Sequence, residues 1–416
     1  MGNGWRFLWG SYSQTRRAAS GHQQSFDTVT GIVDNRPRSY DGNCSQPTLG
    51  SVNAMVGYQV EYTSCRPVPM VMIGVYALDP GVPVGRIQLG GIGDAWNPPP
   101  VPGCLPVLIT CDSQGKFGHH CPACESYWRS GPWPNLCPYC RMEAEDYQFL
   151  SEAQLRYVQH YCSTLITGMQ TIENGDVKID MDAVADAAGS DGPKPAFFVA
   201  EQSQQRKFTC VACEEYNDIL GRFGYCSSCG TRNDLQDFTT STVPATRMAL
   251  NNGGTPEDAV KNIVGAFDTF AGQYAKQLAA LVPMSKRRFI RLTKQRFHDL
   301  TDVRRLFRDW FDIDVCDGMS SADEQFVVRM FLRRHVYEHN GGEVDQQYLD
   351  ASGDDTVRLK QHIRETREDV HRLIGLVQKI AISLHDGFHE LVPPLEGPIK
   401  AFAEKKAQIE RYRSRG

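Results

Sequence analysis

The sequence predicts a multi-domain chain with an N-terminal β-rich module, two four-cysteine modules and a C-terminal all-α helical bundle. Three observations support this fold class. Residues 26–111 are rich in Gly and Pro and contain short apolar runs typical of strands. Eight of the 14 cysteines fall into two sets with the same spacing. From residue 255 onward, apolar residues recur at helical spacing.

Length and composition set the limits of the interpretation. A chain of 416 residues has room for about two to four domains. Hydrophobic residues make up 41% and charged residues 22%, as in ordinary globular proteins. The net charge of -5 gives the whole chain no basic character for polyanions. The run KRRFIRLTKQRF, from Lys286 to Phe297, is a local exception. It predicts either a basic face for a polyanion or a solvated helix face.

The same survey bears on location. No apolar run reaches the length that a membrane span needs, so no membrane partner is expected. The N-terminus lacks the apolar segment of a secretion signal, and a cytoplasmic protein is therefore predicted. Cytoplasmic cysteines are rarely paired in disulfides, so the 14 cysteines need another explanation.

The N-terminal third is predicted to be a loose segment followed by strands. Residues 1–25 are polar, and residues 26–111 form the predicted β-rich module. Its strand candidates are the runs GYQVEY, VPMVMIGVYAL, GRIQL and LPVLITC. The proline-rich run NPPPVPGCLP cannot be helical, because proline breaks the helical hydrogen-bond ladder. No chemistry is assigned to this module.

Eight cysteines form the clearest motif of the chain. Each member of the second set lies 89 positions after its counterpart in the first. The sets are Cys121, Cys124, Cys137, Cys140 and Cys210, Cys213, Cys226, Cys229. A Cys-x-x-Cys turn points two thiolates at one spot, and two such turns complete a tetrahedral sulfur shell. The pattern predicts two structural zinc ions per chain, in zinc ribbons at 112–145 and 206–240. A closed shell leaves no position for substrate, so no catalytic metal is expected.

The cysteines also allow other interpretations. Cys137-Pro-Tyr-Cys140 also matches a dithiol redox motif, but that chemistry requires a helix N-terminus in a βαβ context. A second alternative replaces one sulfur ligand with His119, His120 or Cys111. The ribbons themselves either contact nucleic acid or protein, or only hold a small domain together.

The C-terminal half is predicted to be helical. Residues 146–205 contain a predicted helix at 150–172 and the linker ADAAGSDGPKP. A bundle is predicted over 255–393, with Thr255 as N-cap and Pro256 in the first turn. Its further helices are expected at 285–310, from 320 to Asn340, and from 355 onward. Residues 394–416 are a tail or a final helix.

The end of the third bundle helix carries unusual chemistry. Arg333, Arg334, His335, Glu338 and His339 lie within seven residues, just before Asn340-Gly341-Gly342. Cations near a helix C-terminus suit the helix dipole, which explains part of this composition. His335, Glu338 and His339 also form the HxxEH pattern of inverted zinc peptidases, which would predict a third zinc ion and needs a further ligand.

A third hypothesis comes from the motif Arg334-His335-x3-His339-Asn340. An Arg-polar-x3-His motif at the end of the penultimate long helix of a bundle resembles the HEPN superfamily, over about residues 255–393. The resemblance implies an all-α fold, frequent homodimers and, in active members, metal-independent RNA cleavage by toxins or antiviral effectors. Other members bind without cutting. By the resemblance, Arg334 binds the phosphate, His339 is the acid/base, His335 assists and Asn340 supports His339. Gly341 stands where some toxin members carry a modifiable tyrosine, so control of that kind is not expected.

The residue types suit this chemistry. Attack of a 2'-OH on the adjacent phosphorus needs a group that titrates near neutral pH, such as histidine. It also needs a fixed cation on the phosphorane, which the arginine fork supplies. Arg334 and His339 lie about 140° apart around an ideal helix, so a homodimer through the C-terminal bundle is predicted to bring two motifs together.

The leading hypothesis is therefore an endoribonuclease that leaves 2',3'-cyclic phosphate ends on RNA. The front modules would then recognise a protein or nucleic-acid trigger. The alternative is a non-catalytic module that binds nucleic acid or protein.

Overall fold

The computed structural model describes the strands within residues 6–110 and then residues 116–131, 133–144, 146–171, 175–190 and 203–414. The strands are β1 Arg6–Phe7, β2 Asn53–Ala54, β3 Tyr58–Thr63, β4 Met72–Leu78, β5 Ile87–Gln88, β6 Cys104–Thr110, β7 Phe117–His120, β8 Tyr127–Ser130, β9 Gly175–Asp180, β10 Arg206–Thr209 and β11 Tyr216–Ile219. The helices are α1 Glu152–Thr171, α2 Met181–Ser190, α3 Asp234–Asp237, α4 Val243–Asn251, α5 Pro256–Leu281, α6 Lys286–Lys294, α7 Leu300–Phe311, α8 Ser321–His339, α9 Gln346–Ser352, α10 Arg367–Leu391 and α11 Glu396–Arg413.

Contacts divide the chain into two units. The first comprises Met1–Thr209 and Glu215–Arg222, and the second comprises Cys210–Glu214 and Phe223–Gly416. The division therefore falls inside the second four-cysteine segment. Its hairpin strands belong to the first unit, and its cysteine turns belong to the second.

The first unit contains the predicted strands. β4 pairs antiparallel with β1 and β6, and β2 pairs with β5. The four strand candidates of the β-rich module are confirmed as β3, β4, β5 and β6. β1 lies in the segment predicted to be loose, and the other predictions for residues 1–25 fall outside the described residues.

The predicted linker after the first long helix is partly wrong. β9 pairs in parallel with β3, and α2 occupies residues that were assigned to the linker. The Asp180 carboxylate accepts the backbone N–H of Asp182 at 2.9 Å, which begins α2. Val184 and Ala185 are buried, so the alanine-rich segment packs as a helix.

The second unit is a helical bundle. α5 packs against α8 and α10. As predicted, the side chain of Thr255 caps α5 and Ser320 caps α8. The predicted apolar stripe of α5 is buried, from Val260 to Leu278. Residues 394–416, predicted as tail or helix, contain α11.

The helix predicted over 285–310 is two helices. α6 ends at Lys294, and α7 begins at Leu300. Asp299 caps α7 by accepting Thr301 N–H at 2.9 Å. Phe297 is 2% exposed, and its backbone N–H donates to Asp268 of α5. Burying Phe297 between the helices breaks the helical path.

The helix predicted from residue 355 begins later, at Arg367. Thr366 caps this helix by accepting Asp369 N–H at 3.0 Å. The sequence predicts Ile363 as part of this helix. In the structure Ile363 precedes the helix in an extended segment, and its backbone N–H donates to Gly342 O at 2.9 Å. It is nonetheless buried, as its apolar side chain predicts.

Hydropathy gives one further result for the described residues. No helix among them is long and apolar enough to cross a bilayer.

Candidate metal centres and phosphate site

The first cysteine set converges on one point. Cys121 Sγ lies 3.7 Å from Cys140 Sγ, and Cys124 Sγ lies 3.6 Å from Cys137 Sγ. Each close pair joins one turn to the other. Cys121 and Cys137 are fully buried, whereas Cys140 is exposed at the edge. The set is backed by a core of Trp128, Phe149, Phe208 and Ile219.

The second set repeats this geometry. Cys210 Sγ lies 3.7 Å from Cys229 Sγ, and Cys213 Sγ lies 3.5 Å from Cys226 Sγ. In both sets all four sulfur atoms lie within 4.8 Å of one another. These separations are far too long for disulfides, whose sulfur atoms lie about 2 Å apart.

All four Cys-x-x-Cys turns share one backbone conformation. The residue after each second cysteine has positive φ, at Glu125, Arg141, Glu214 and Gly230. Its N–H donates to the carbonyl of the first cysteine at 2.8–3.0 Å. Three of these positions hold a non-glycine residue in the left-handed region, which is unfavourable for a side chain. Each of these three turns therefore has a backbone conformation that costs local free energy.

The donor geometry fits a tetrahedral metal ion. Four sulfur ligands at a Zn–S distance of about 2.3 Å lie about 3.8 Å from one another in a tetrahedron, close to the separations found here. Burial raises the pKa of the Cys137 thiol well above its usual range. Burial disfavours a negatively charged sulfur, so four adjacent thiolates need a bound cation to offset their charge.

For the first set, the geometry favours the four predicted cysteines over replacement of one of them by His119. Each of the four predicted cysteines lies in the cluster. His119 instead donates Nε2–H to the carbonyl of Gly131 at 2.9 Å. Burial lowers the pKa of His119 to about 4, although that hydrogen bond partly opposes the shift. Cys111 lies outside the described residues.

The second cysteine set is fastened to the bundle. Leu395 N–H, just before α11, donates to Cys229 O at 2.8 Å, and Ile399 of α11 packs against the cysteines. Arg232 N–H donates to His389 Nε2 of α10 at 3.2 Å. Tyr225 Oη donates to Gln277 of α5 at 2.9 Å. The second cysteine set and the residues next to it thus contact α5, α10 and α11.

The predicted phosphate motif lies at the C-terminal end of α8, where the two adjacent arginines have different partners. Arg333 donates to Tyr348 at 3.0 Å, to Glu365 at 3.0 Å and to Asp354 at 2.8 Å. Both carboxylates are buried, and Tyr337 also donates to Glu365. Arg333 is therefore committed to the fold and is not available to a ligand.

Arg334 has no such partner. The side chain is half-buried, and its Nε is buried without a hydrogen-bond acceptor among the described residues. Burial, reinforced by the positive charge of Arg334, lowers the pKa of His298. Arg296 acts in the same direction on His298, and the carboxylate of Asp268 acts in the opposite direction. A guanidinium whose Nε has no acceptor among the described residues has the hydrogen-bond donors that an anion requires.

The connection between α6 and α7 positions His298. Phe297 anchors it in the core against Phe307, with ring centroids 5.8 Å apart. Asp299 is held as the cap of α7, so Arg296 and His298, on either side of Phe297, are left outside the core.

His335 and His339 extend the site along α8. Their rings lie 4.5 Å apart between centroids, and both side chains are exposed. Asn340 ends the helix, and its side-chain amide donates to Asp345 at 2.6 Å. That bond fixes the turn into α9. It directs the Asn340 amide toward Asp345, whereas the sequence had suggested support for His339.

The peptidase hypothesis finds no third ligand. Among the residues that the structure describes, only the two four-cysteine sets bring three or more candidate ligand atoms within reach of one cation. His335, Glu338 and His339 do not form such a group.

Sequence reasoning missed His298. The segment KQRFHDL was assigned to a continuous helix, and helical periodicity alone gave no reason to relate His298 to the motif on α8. The signal was present in Asp299 followed by Asp302, a helix start immediately after a buried aromatic residue.

Comparisons of the chain with protein-family models, curated proteins and solved structures found no match. The HEPN resemblance therefore rests on the short motif and on the helical setting in which it lies.

Proposed function

We propose that the chain is a metal-independent endoribonuclease of the HEPN type, with two structural zinc ions. The observation that supports this proposal is the buried Arg334 Nε at the predicted motif, which has no acceptor among the described residues, while the charge of Arg334 acts on His298. A phosphodiester supplies the anion that this guanidinium lacks. Cytoplasmic reducing conditions suit two four-thiolate zinc sites, and a toxin or antiviral effector is the role that the resemblance suggests.

The proposed reaction assigns each side chain a task. Neutral His298 accepts the proton of the RNA 2'-OH, and the 2'-oxygen attacks the adjacent phosphorus. Arg334 stabilises the charge on the phosphorane oxygens. The P–O5' bond breaks, and protonated His339 donates a proton to the leaving oxygen. The products carry a 2',3'-cyclic phosphate and a 5'-OH, and His335, whose ring lies 4.5 Å from that of His339, is the orienting group.

The proposal retains a homodimer. Within one chain, His298 already supplies a histidine on the side of Arg334, whereas Arg334 and His339 diverge by about 140° around α8. Mixing the Arg334→Met and His339→Ala proteins tests whether the site is shared. A site built from two copies regains activity in mixed dimers, because one of its two sites is then intact. A site within one chain does not.

The first test compares RNA cleavage by the wild type and three variants, Arg334→Met, His298→Ala and His339→Ala. Each reaction contains EDTA for a period too short to strip the zinc, and the RNA ends are assayed for cyclic phosphate. We expect the wild type to cleave and each variant to lose about 100-fold or more in rate, as for lost acid/base or charge-stabilising groups. His371→Ala, on a bonded histidine of α10, is the matched control and should remain active.

The pH profile adds an independent check. Because the pKa of His298 is lowered from 6.5, its ring stays neutral at neutral pH, and the acid-side loss of activity should begin below pH 6.5. Cleavage by His298→Ala with an unchanged profile would remove His298 from the mechanism. No cleavage by the wild type on any RNA, with or without cellular extract as a source of trigger, would overturn the nuclease proposal.

The exposure of His335 and His339 favours a second candidate function. An open site can bind a phosphate without excluding the water that competes with catalysis. A non-catalytic nucleic-acid-binding module predicts RNA binding that depends on Arg334 and no cleavage at any pH.

A further inference from the structure

The short helix α6 presents an unusually cationic surface. Leu292 is its one buried residue. With 100° per residue, the opposite face carries Lys286, Arg287, Ile290 and Lys294. All four are exposed, and Ile290 retains 41% of its accessible surface. From residue 285 to residue 298 the sequence contains no acidic side chain.

A tryptophan lies beside this surface. The guanidinium of Arg288 lies 5.4 Å from the ring centroid of Trp310 in α7, and that of Arg291 lies 5.5 Å from it. Trp310 is half-exposed. Guanidinium groups held over an aromatic ring provide flat surfaces on which bases stack.

The simple explanation, a solvated helix face, does not account for the charge pattern. Lys286, Arg287 and Arg288 occupy the first turn of α6, where the helix dipole disfavours cations. Among the described residues, none of the exposed cations of α6 forms an ion pair with a carboxylate. Solvated helices usually intersperse both signs of charge.

We propose that this surface, formed by Lys286, Arg287, Arg288, Arg291, Lys294 and Trp310, binds single-stranded RNA. The cations contact phosphates, and Trp310 with its two arginines stacks against bases. A membrane-binding helix would need a continuous apolar face, but the exposed Phe289 and Ile290 lie about 100° apart around α6 with cations between and beside them.

The surface leads to the candidate site. α6 ends at Lys294, and Arg296 and His298 follow in the connection to α7. An RNA strand bound to these cations continues along the chain to Arg296 and His298, and the charge of Arg334 acts on His298. This inference rests on the proposed function for its substrate, and it adds the groups that hold the RNA on one side of the scissile phosphate.

The test measures binding of a fluorescein-labelled 2'-O-methyl oligouridylate of about 12 nucleotides to the full chain. A methylated 2'-oxygen cannot attack phosphorus, so the probe reports binding whether or not the protein is a nuclease. The test variant is Arg287→Gln/Arg288→Gln/Arg291→Gln. The matched control, Arg358→Gln/Arg364→Gln/Lys406→Gln, removes three exposed cations elsewhere in the same unit.

We expect the test variant to bind about tenfold or more weakly at 0.1 M salt and the control to bind as the wild type does. The slope of log Kd against log salt should fall by about 2, because three contacts to a single strand are lost. Trp310→Leu should weaken binding about fivefold through lost stacking.

Equal binding by the test variant and the wild type would overturn the inference. So would equally tight binding of duplex RNA, or binding of phosphatidylserine vesicles that depends on these arginines while RNA binding does not. Cleavage of unmodified RNA is scored separately, so failure of the binding surface and failure of the nuclease proposal give different results.

Discussion

Arg333 and Arg334 are neighbours on α8, yet Arg333 bridges two carboxylates whereas Arg334 forms no ion pair within the described part of the chain. Arg333 is 12% exposed and bridges Asp354 and Glu365, which are nearly inaccessible. Burial alone raises the pKa of Asp354, but hydrogen bonds from Thr356, Tyr348 and Arg333 lower it well below its usual range. The Asp354 carboxylate is therefore charged in the fold, and Arg333 is the cation that pairs with both Asp354 and Glu365.

This pairing predicts the effect of Arg333→Met. Removing one partner of a buried ion pair leaves an uncompensated charge, and here two carboxylates lose their cation. We expect the free energy of unfolding of the second unit to fall by about 3–5 kcal/mol. Hydrogen–deuterium exchange of α8 and α9 peptides measures the change.

Arg364→Met is the control, since Arg364 is exposed and close in sequence to the same network. It should change the free energy of unfolding by no more than about 0.5 kcal/mol. Equal stability of the Arg333→Met and Arg364→Met proteins would show that the network contributes nothing.

At the scale of elements, local signals predicted the helices well where both ends were marked. α5 and α8 begin at Thr-Pro and Ser-Ser signals, and α8 ends at Asn340 before two glycines with positive φ. The break between α6 and α7 was missed because Phe297 is buried by tertiary contacts with α5 and α7, which helical periodicity does not encode. The cysteine spacing predicted the members of both four-cysteine clusters, whereas the surroundings of Arg334 depend on packing and were found only in the structure.

The hairpin strands of the two four-cysteine segments form one sheet. The sheet has the order β10-β11-β8-β7, and Asp218 pairs with Arg129 at its centre. Asp218 lies 89 residues after Arg129, which is also the offset between the cysteine sets. The two residues thus hold equivalent positions on either side of an approximate twofold axis. Identical side chains there would place like charges together, but this chain carries a buried pair at 2.8 Å.

The symmetry makes a testable prediction about this pair. Arg129→Asp alone should destabilise the first unit by about 3–5 kcal/mol, because two buried carboxylates then face each other. The exchanged pair Arg129→Asp/Asp218→Arg should recover part of this loss, since the equivalent positions allow the charges to trade places. Recovery should be incomplete because Ser203 and Gln204 also donate to Asp218.

Exchange rates of backbone amides in β8 and β11 measure both variants. Asp218→Arg alone, with two buried cations, completes the double-mutant cycle. A double variant no more stable than the sum of the two single changes would mean that the positions are not interchangeable and that the twofold relation stops at the backbone.

At the scale of the whole molecule, each unit contains one cysteine cluster. The first cluster shares its core with β8 and β11, and the second is bonded to the segment before α11 and to α10 through the turn that follows it. The two clusters therefore contact two separate sets of elements. The two clusters have the same geometry, so their roles differ through what packs on them.

This arrangement predicts that the two metals can be removed independently. The wild type should contain two zinc ions per chain by mass spectrometry, and Cys137→Ser and Cys226→Ser should each contain one, because three thiolates bind zinc far more weakly than four. Cys226→Ser should speed amide exchange in α10 and α11, whereas Cys137→Ser should speed exchange in β7 and β8.

Each variant is the control for the other. The same exchange pattern in both would contradict separate roles, and two zinc ions retained in either would contradict the ligand assignment. Since the opposed effects arise only if each ion holds its own unit, the pair of variants tests the division of the molecule as well as the identity of the metal.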